Sequence, residues 1–101
     1  MQNAEYFLRK TLEMNPYDIE AYKILTKLQL KENDFNNAIE TIKTALSECE
    51  ETGDLDFLAS IVFKKAGDEE NSSTYFENAI KNHQTLSIPI AKAREEIKRI
   101  K

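Results

Sequence analysis

Glycine and proline are scarce, with two of each in 101 residues. A β-sandwich or barrel needs a turn-former every few residues, so this scarcity points to helices. Cys49 is the sole cysteine and His83 the sole histidine. That excludes an internal disulfide, a cysteine-rich zinc site and a His/Cys metal cluster. No stretch approaches the ~18 apolar residues of a transmembrane span. The longest, Phe57 to Phe63, is interrupted by Ser60. A basic leader followed by an apolar stretch is missing at the N-terminus, so the sequence there does not read as a signal peptide. A cytoplasmic, reducing setting is therefore expected. Positive charge is also in deficit. A net charge of −4 disfavours generic nucleic-acid binding, which depends on a broad basic surface. What remains, 41% hydrophobic and 32% charged residues, suits one small folded domain.

Similar residues recur at a spacing of 34. Ala4, Ala38 and Ser72 form one series, and Thr11, Ala45 and Ala79 a second. Leu8, Ile42 and Phe76 form a third, and Leu12, Leu46 and Ile80 a fourth. Small residues recur as small and large apolar residues as large, the signature of a repeat.

Each unit reads as two helices. Asp18 is placed to cap a helix running to about Glu32, with Tyr22, Leu25, Leu28 and Gln29 at helical spacing. Asn33-Asp34 breaks it. A second helix is predicted over residues 35–50, with Phe35, Ala38, Ile39, Ile42, Ala45, Leu46 and Cys49 on one stripe. Thr52-Gly53 is expected to end that helix and Asp54 to cap the next, which runs to Ala66. Gly67-Asp68 then breaks the chain where Asn33-Asp34 stood one period earlier. A further helix is predicted over residues 69–82. Outer helices are expected over residues 3–14, closed by Asn15-Pro16, and over residues 88–100, capped by Ser87 with Pro89 in the first turn.

On these residues the chain resembles the tetratricopeptide repeat (TPR) family, along its whole length. The strongest match runs from Ala21-Tyr22 to Leu46, and Tyr75-Phe76-Glu77-Asn78-Ala79-Ile80 is the next best. The resemblance implies an all-α fold, a right-handed α-solenoid of antiparallel helix pairs with about six helices, as a single domain over residues 1–101. Residues 1–18 would be the second half of a repeat, 19–52 and 53–86 two full repeats, and 87–101 a capping helix or the first half of a further repeat. Thr26 and Ser60 stand where the family prefers glycine, facing Ala38 and Ser72.

The departures carry expectations of their own. Asp56 stands at a usually aromatic place, which predicts a frayed start to its helix. Gln29 also replaces an aromatic. Arg94 stands where Thr26 and Ser60 stood; it would block a following second helix and so marks a solenoid end. At the other end, the first helix lacks the partner that should pack on it. The chain then reads as the C-terminal part of a longer repeat protein, or else another subunit covers that face.

Catalytic motifs are absent. Two glycines could hardly build a phosphate-cradling loop. Cys49 and His83 occupy equivalent places one repeat apart, so they do not read as a nucleophile and its base. Glu50-Glu51, Glu69-Glu70 and Glu95-Glu96 are sequence neighbours on different helix faces, which suits solvated surface better than an acid/base pair. No enzyme activity and no cofactor or metal are expected.

The resemblance places the first helices on the concave side of a solenoid. Helical position then assigns Lys23, Ile24, Lys27 and Lys31 to a groove, continued by Phe57, Leu58, Ile61, Lys64 and Lys65, with Lys92 on the last helix. A basic lining with an apolar stripe of Ile24, Phe57, Leu58 and Ile61 fits a peptide or protein segment carrying acidic residues and one or two apolar anchors. Some TPR proteins hold a chaperone's C-terminal carboxylate with lysines and asparagines. Here Ile24 and Leu58 sit where the amide would be, which argues against that ligand. The expected function is a protein–protein interaction module. One alternative is a scaffold that self-assembles through its terminal helix faces, giving a homo-oligomer through the N-terminal helix. Another is the peptide-sensing TPR domain of a larger regulator.

Overall fold

The structure is a computed structural model, and it describes residues 2–100. It is all-helical among those residues: six α-helices and one 3-10 turn, with no strand. The chain divides into two compact units, Met1–Glu50 and Glu51–Lys101.

The first unit holds α1 (Gln2–Met14), α2 (Ile19–Lys31) and α3 (Phe35–Glu48). Asp18 caps α2, accepting from the Ala21 N–H at 3.1 Å. At the far end of α2, Asn33 adopts a left-handed φ of 59°. This lets the Asn33 N–H reach Leu30 O at 3.0 Å and the Asp34 N–H reach Gln29 O at 2.9 Å, the paired bonds of a Schellman stop. Asp34 then caps α3 through the Asn37 N–H at 3.4 Å. One residue thus closes one helix and opens the next, which sets a tight antiparallel pair. Tyr22 and Leu25 of α2 pack with Ala38, Ile42 and Ala45 of α3, all buried. The two alanines at 0% exposure permit the close approach, and Ile42 supplies about 1.5–3 kcal/mol of burial. Leu8 and Leu12 bring α1 against α2, half-buried.

The second unit holds α4 (Gly53–Lys65), α5 (Glu69–Lys81), a 3-10 turn (His83–Thr85) and α6 (Ile90–Arg99). Its hairpin repeats the first at the 34-residue spacing. Gly67, at φ 87°, takes the left-handed place of Asn33. Asp68 closes α4 by its N–H to Phe63 O at 2.8 Å and caps α5 through the Asn71 N–H at 3.1 Å. The small positions meet as expected: the Ser72 hydroxyl donates to Ser60 O at 2.8 Å, inside the core. Phe63 stacks on Tyr75 at 5.4 Å, and Phe57 meets Phe76 edge-on at 6.3 Å.

Several predicted helix ends move. The helix predicted to Glu50 ends at Glu48. Gly53 does not terminate a helix; it is the buried first residue of α4. Asp54 is not the cap of α4, since its carboxylate accepts from the Ser87 N–H at 2.6 Å. Ser87 therefore does not cap α6 either; Pro89 holds that place, with no side-chain bond. The start of α4 is not frayed. Asp56 is 4% exposed and accepts from the Asn82 amide at 3.0 Å, while the Gly53 N–H donates to the Thr85 hydroxyl at 2.7 Å. The loop that follows α5 is thereby tied to the first turn of α4. Arg94 lays its guanidinium over the Phe76 ring at 5.6 Å, and its neighbour Ala93 takes the buried place in α6.

Candidate functional site

The ten residues assigned to a groove separate by burial. On α2, Ile24, Lys27 and Lys31 are exposed on one face, Ile24 by 52%, and Glu20 lies among them. The opposite face of α2, with Tyr22, Leu25 and Gln29, is buried. The spacing 20, 24, 27, 31 makes the exposed set a continuous strip along three helical turns. Lys23 flanks it, half-buried, with its ammonium 3.3 Å from Glu20. Among the described residues, Lys27 and Lys31 hold no ion pair, so their charges face solvent. The strip therefore sets one apolar contact, Ile24, beside two unpaired cations that follow it along the helix.

The second unit does not supply the matching anchors. Phe57 is 8% exposed and Leu58 5%, and both belong to the buried interior. Phe57 forms a core with Ala79 and Ala93, against which Ile61, Phe76, Leu86 and Ile88 pack. An apolar stripe of four open anchors is thus corrected to one, Ile24. The cause is that α4 is apolar nearly all round and is buried from Leu55 to Ser60 and again at Val62 and Phe63. Aligning α4 with α2 transfers the position of a face but not its exposure. Lys64 is half-buried and paired with Glu69 at 3.0 Å, while Lys65 and Lys92 are exposed.

One feature of the first unit has no counterpart in the sequence reading. Between α1 and α3 a cleft of about 360 Å³ opens over α2. Leu12, Tyr22 and Leu25 form its apolar floor, and Arg9, Glu13 and Glu40 rise at its edge. One buried amide ties the three helices around it: Gln29 accepts from the Thr41 hydroxyl at 2.8 Å and donates to Glu5 at 3.5 Å. Gln29 in place of an aromatic was the one sequence signal for this polar link. Tyr22 donates to Pro16 O at 2.8 Å, and burial first, then the nearby Cys49 and Glu48, raises its phenol above the usual range.

The remaining reactive groups are separately placed. Cys49 is 8% exposed with its thiol toward Tyr17 O at 3.8 Å; burial first, then Glu48 and Asp18, pushes its pKa up. His83 is exposed in the 3-10 turn. Among the described residues, no group of three or more His, Cys, Asp or Glu could hold a metal ion, and no helix is long and apolar enough to cross a membrane. No protein-family model matches the chain, and no curated protein or solved structure matches it.

Proposed function

We propose that the chain is a TPR-like, right-handed α-solenoid segment acting as a non-enzymatic protein–protein interaction module. It takes an acidic peptide or protein segment along the exposed strip of α2. Two observations support the repeat reading: the same Asn/Gly-Asp hairpin recurs after 34 residues with the same bonds, and small residues meet at Ser60 and Ser72. The binding reading is carried by the exposed Ile24 beside the unpaired Lys27 and Lys31. A single apolar anchor with two cations on one side of it suits a ligand with one apolar side chain and carboxylates next to it. Electrostatics then sets its on-rate and orientation more than its affinity.

The test uses a short fluorescein-labelled peptide of alternating glutamate and alanine around one leucine, read by anisotropy. Binding should weaken with added salt. Lys27→Glu with Lys31→Glu should weaken it at least about tenfold, and Ile24→Asp comparably. Equal binding by the double charge reversal would remove the α2 strip from the function.

A further inference from the structure

We infer that α1 carries a self-complementary face that pairs with α1 of a second copy, antiparallel, as a two-fold dimer. Ala4, Phe7, Thr11 and Met14 fall on one stripe of α1 at alternating spacings of three and four, away from the Leu8 and Leu12 side that meets α2. All four are exposed, Phe7 by 65% and Met14 by 88%. Of the five exposed large hydrophobic side chains, Tyr6, Phe7, Met14 and Tyr17 lie on α1 or just after it, so this is where the described surface is most apolar.

The stripe alternates small and large. In an antiparallel pair centred on Arg9, Ala4 faces Met14 of the second copy and Phe7 faces its Thr11. Each large side chain then meets a small one, and the two-fold axis repeats the match. Thr11 suits the small position because its hydroxyl already donates to Phe7 O at 2.9 Å within the helix. Small residues at these places do accept a close helix elsewhere in the chain: one period later Ala38 and Ala45 are fully buried where α3 meets α2.

Charge selects a second copy over a charged partner. The four ionic side chains of α1 are matched within the helix, Arg9 with Glu5 at 3.9 Å and Lys10 with Glu13 at 3.4 Å. Lys10 also lies over the Tyr6 ring at 5.6 Å. An acidic or basic ligand finds no unpaired charge there, whereas two copies approach without a like-charge penalty. A contact of one short helix pair is small beside the ~1,000 Å² that a stable specific interface clears, so the dimer is weak and concentration-dependent. This face is distinct from the α2 strip, and the inference does not depend on it.

Sedimentation velocity over a concentration series tests the pairing, through an exchange of knob and hole. Phe7→Thr leaves a void opposite Thr11, and Thr11→Phe sets two phenyl rings against each other. Each single change should weaken dimerisation at least about tenfold. The double variant F7T/T11F restores a large-to-small match and should recover it. Both positions are exposed, and an unchanged circular dichroism spectrum verifies the fold. As a second readout, Ala4→Cys with Met14→Cys in a Cys49→Ser background should oxidise to a covalent dimer. A monomer at every concentration, or a double variant as weak as the singles, would overturn the inference. A dimer that Ile24→Asp disrupts and Phe7→Thr does not would overturn it as well.

Discussion

Replacing Gly53 by alanine tests the packing of the second unit, because two well-known effects oppose each other there. Alanine in a helix is favoured over glycine by up to about 1 kcal/mol. Helix propensity alone would make the change neutral or helpful at the first residue of α4. Packing reverses the sign. A methyl group on Gly53 would lie 2.5 Å from Asn82 O, 2.6 Å from the Thr85 hydroxyl and 2.7 Å from Leu86 N. These are far inside the ~3.5 Å of a comfortable non-bonded contact. Two of the three atoms are backbone, so the loop over Asn82–Leu86 must move. Overpacking costs about 1–3 kcal/mol. Displacing the loop also loses the bond from the Gly53 N–H to Thr85, about 0.5–1.5 kcal/mol. After the propensity gain, a net loss of about 2 kcal/mol remains. Urea unfolding followed by circular dichroism should show a lower midpoint at unchanged slope. A midpoint equal to or above that of the parent protein would refute the claim that this loop sits on the first turn of α4.

Other consequences are open to equally direct measurement. Gly67 has free space around it but a φ of 87°, so Gly67→Ala should cost about 1–2 kcal/mol through backbone strain alone, seen in the same unfolding assay. Ala38→Leu should cost about 1–3 kcal/mol by overpacking the fully buried contact between α2 and α3. Burial raises the Asp56 carboxyl above its usual 3.8, and its bonds to Asn82 and Thr52 only partly offset this. The native state then holds that proton more tightly than the unfolded chain. The Asp56 contribution to stability therefore falls as pH rises from the usual carboxylate value through the raised one. Asp56→Asn should flatten that slope in urea midpoints taken across the acidic range and should leave neutral-pH stability equal or higher. Cys49 should react with a thiol reagent at least about tenfold more slowly in the folded protein than in denaturant, because it is buried and its thiolate is disfavoured.

Much of the fold was legible because it is set locally. Asp18 is a cap whose side chain acts within three residues, and Asn33 and Gly67, read as breaks, stop helices through their own backbone conformation. The resemblance to the repeat family anticipated the contact of Ser60 with Ser72. What failed was set at a distance. Gly53 looks like a terminator until a loop some thirty residues later is seen to lie against it. Asp54 looks like a cap until Ser87 claims it. Phe57 and Leu58 share their helix register with the half-buried Lys23 and the exposed Ile24, but α4 is covered on sides that α2 leaves open. The cleft between α1 and α3 depends on where two helices diverge, which helical periodicity does not encode.

Amide chemical-shift mapping with the glutamate–leucine peptide puts the interaction reading to the most direct test. Perturbations should grow with peptide concentration, centre on Ile24, Lys27 and Lys31, and fade as salt is raised. Perturbations centred instead on the cleft residues Leu12, Asn37 and Thr41, or none at saturating peptide, would contradict it.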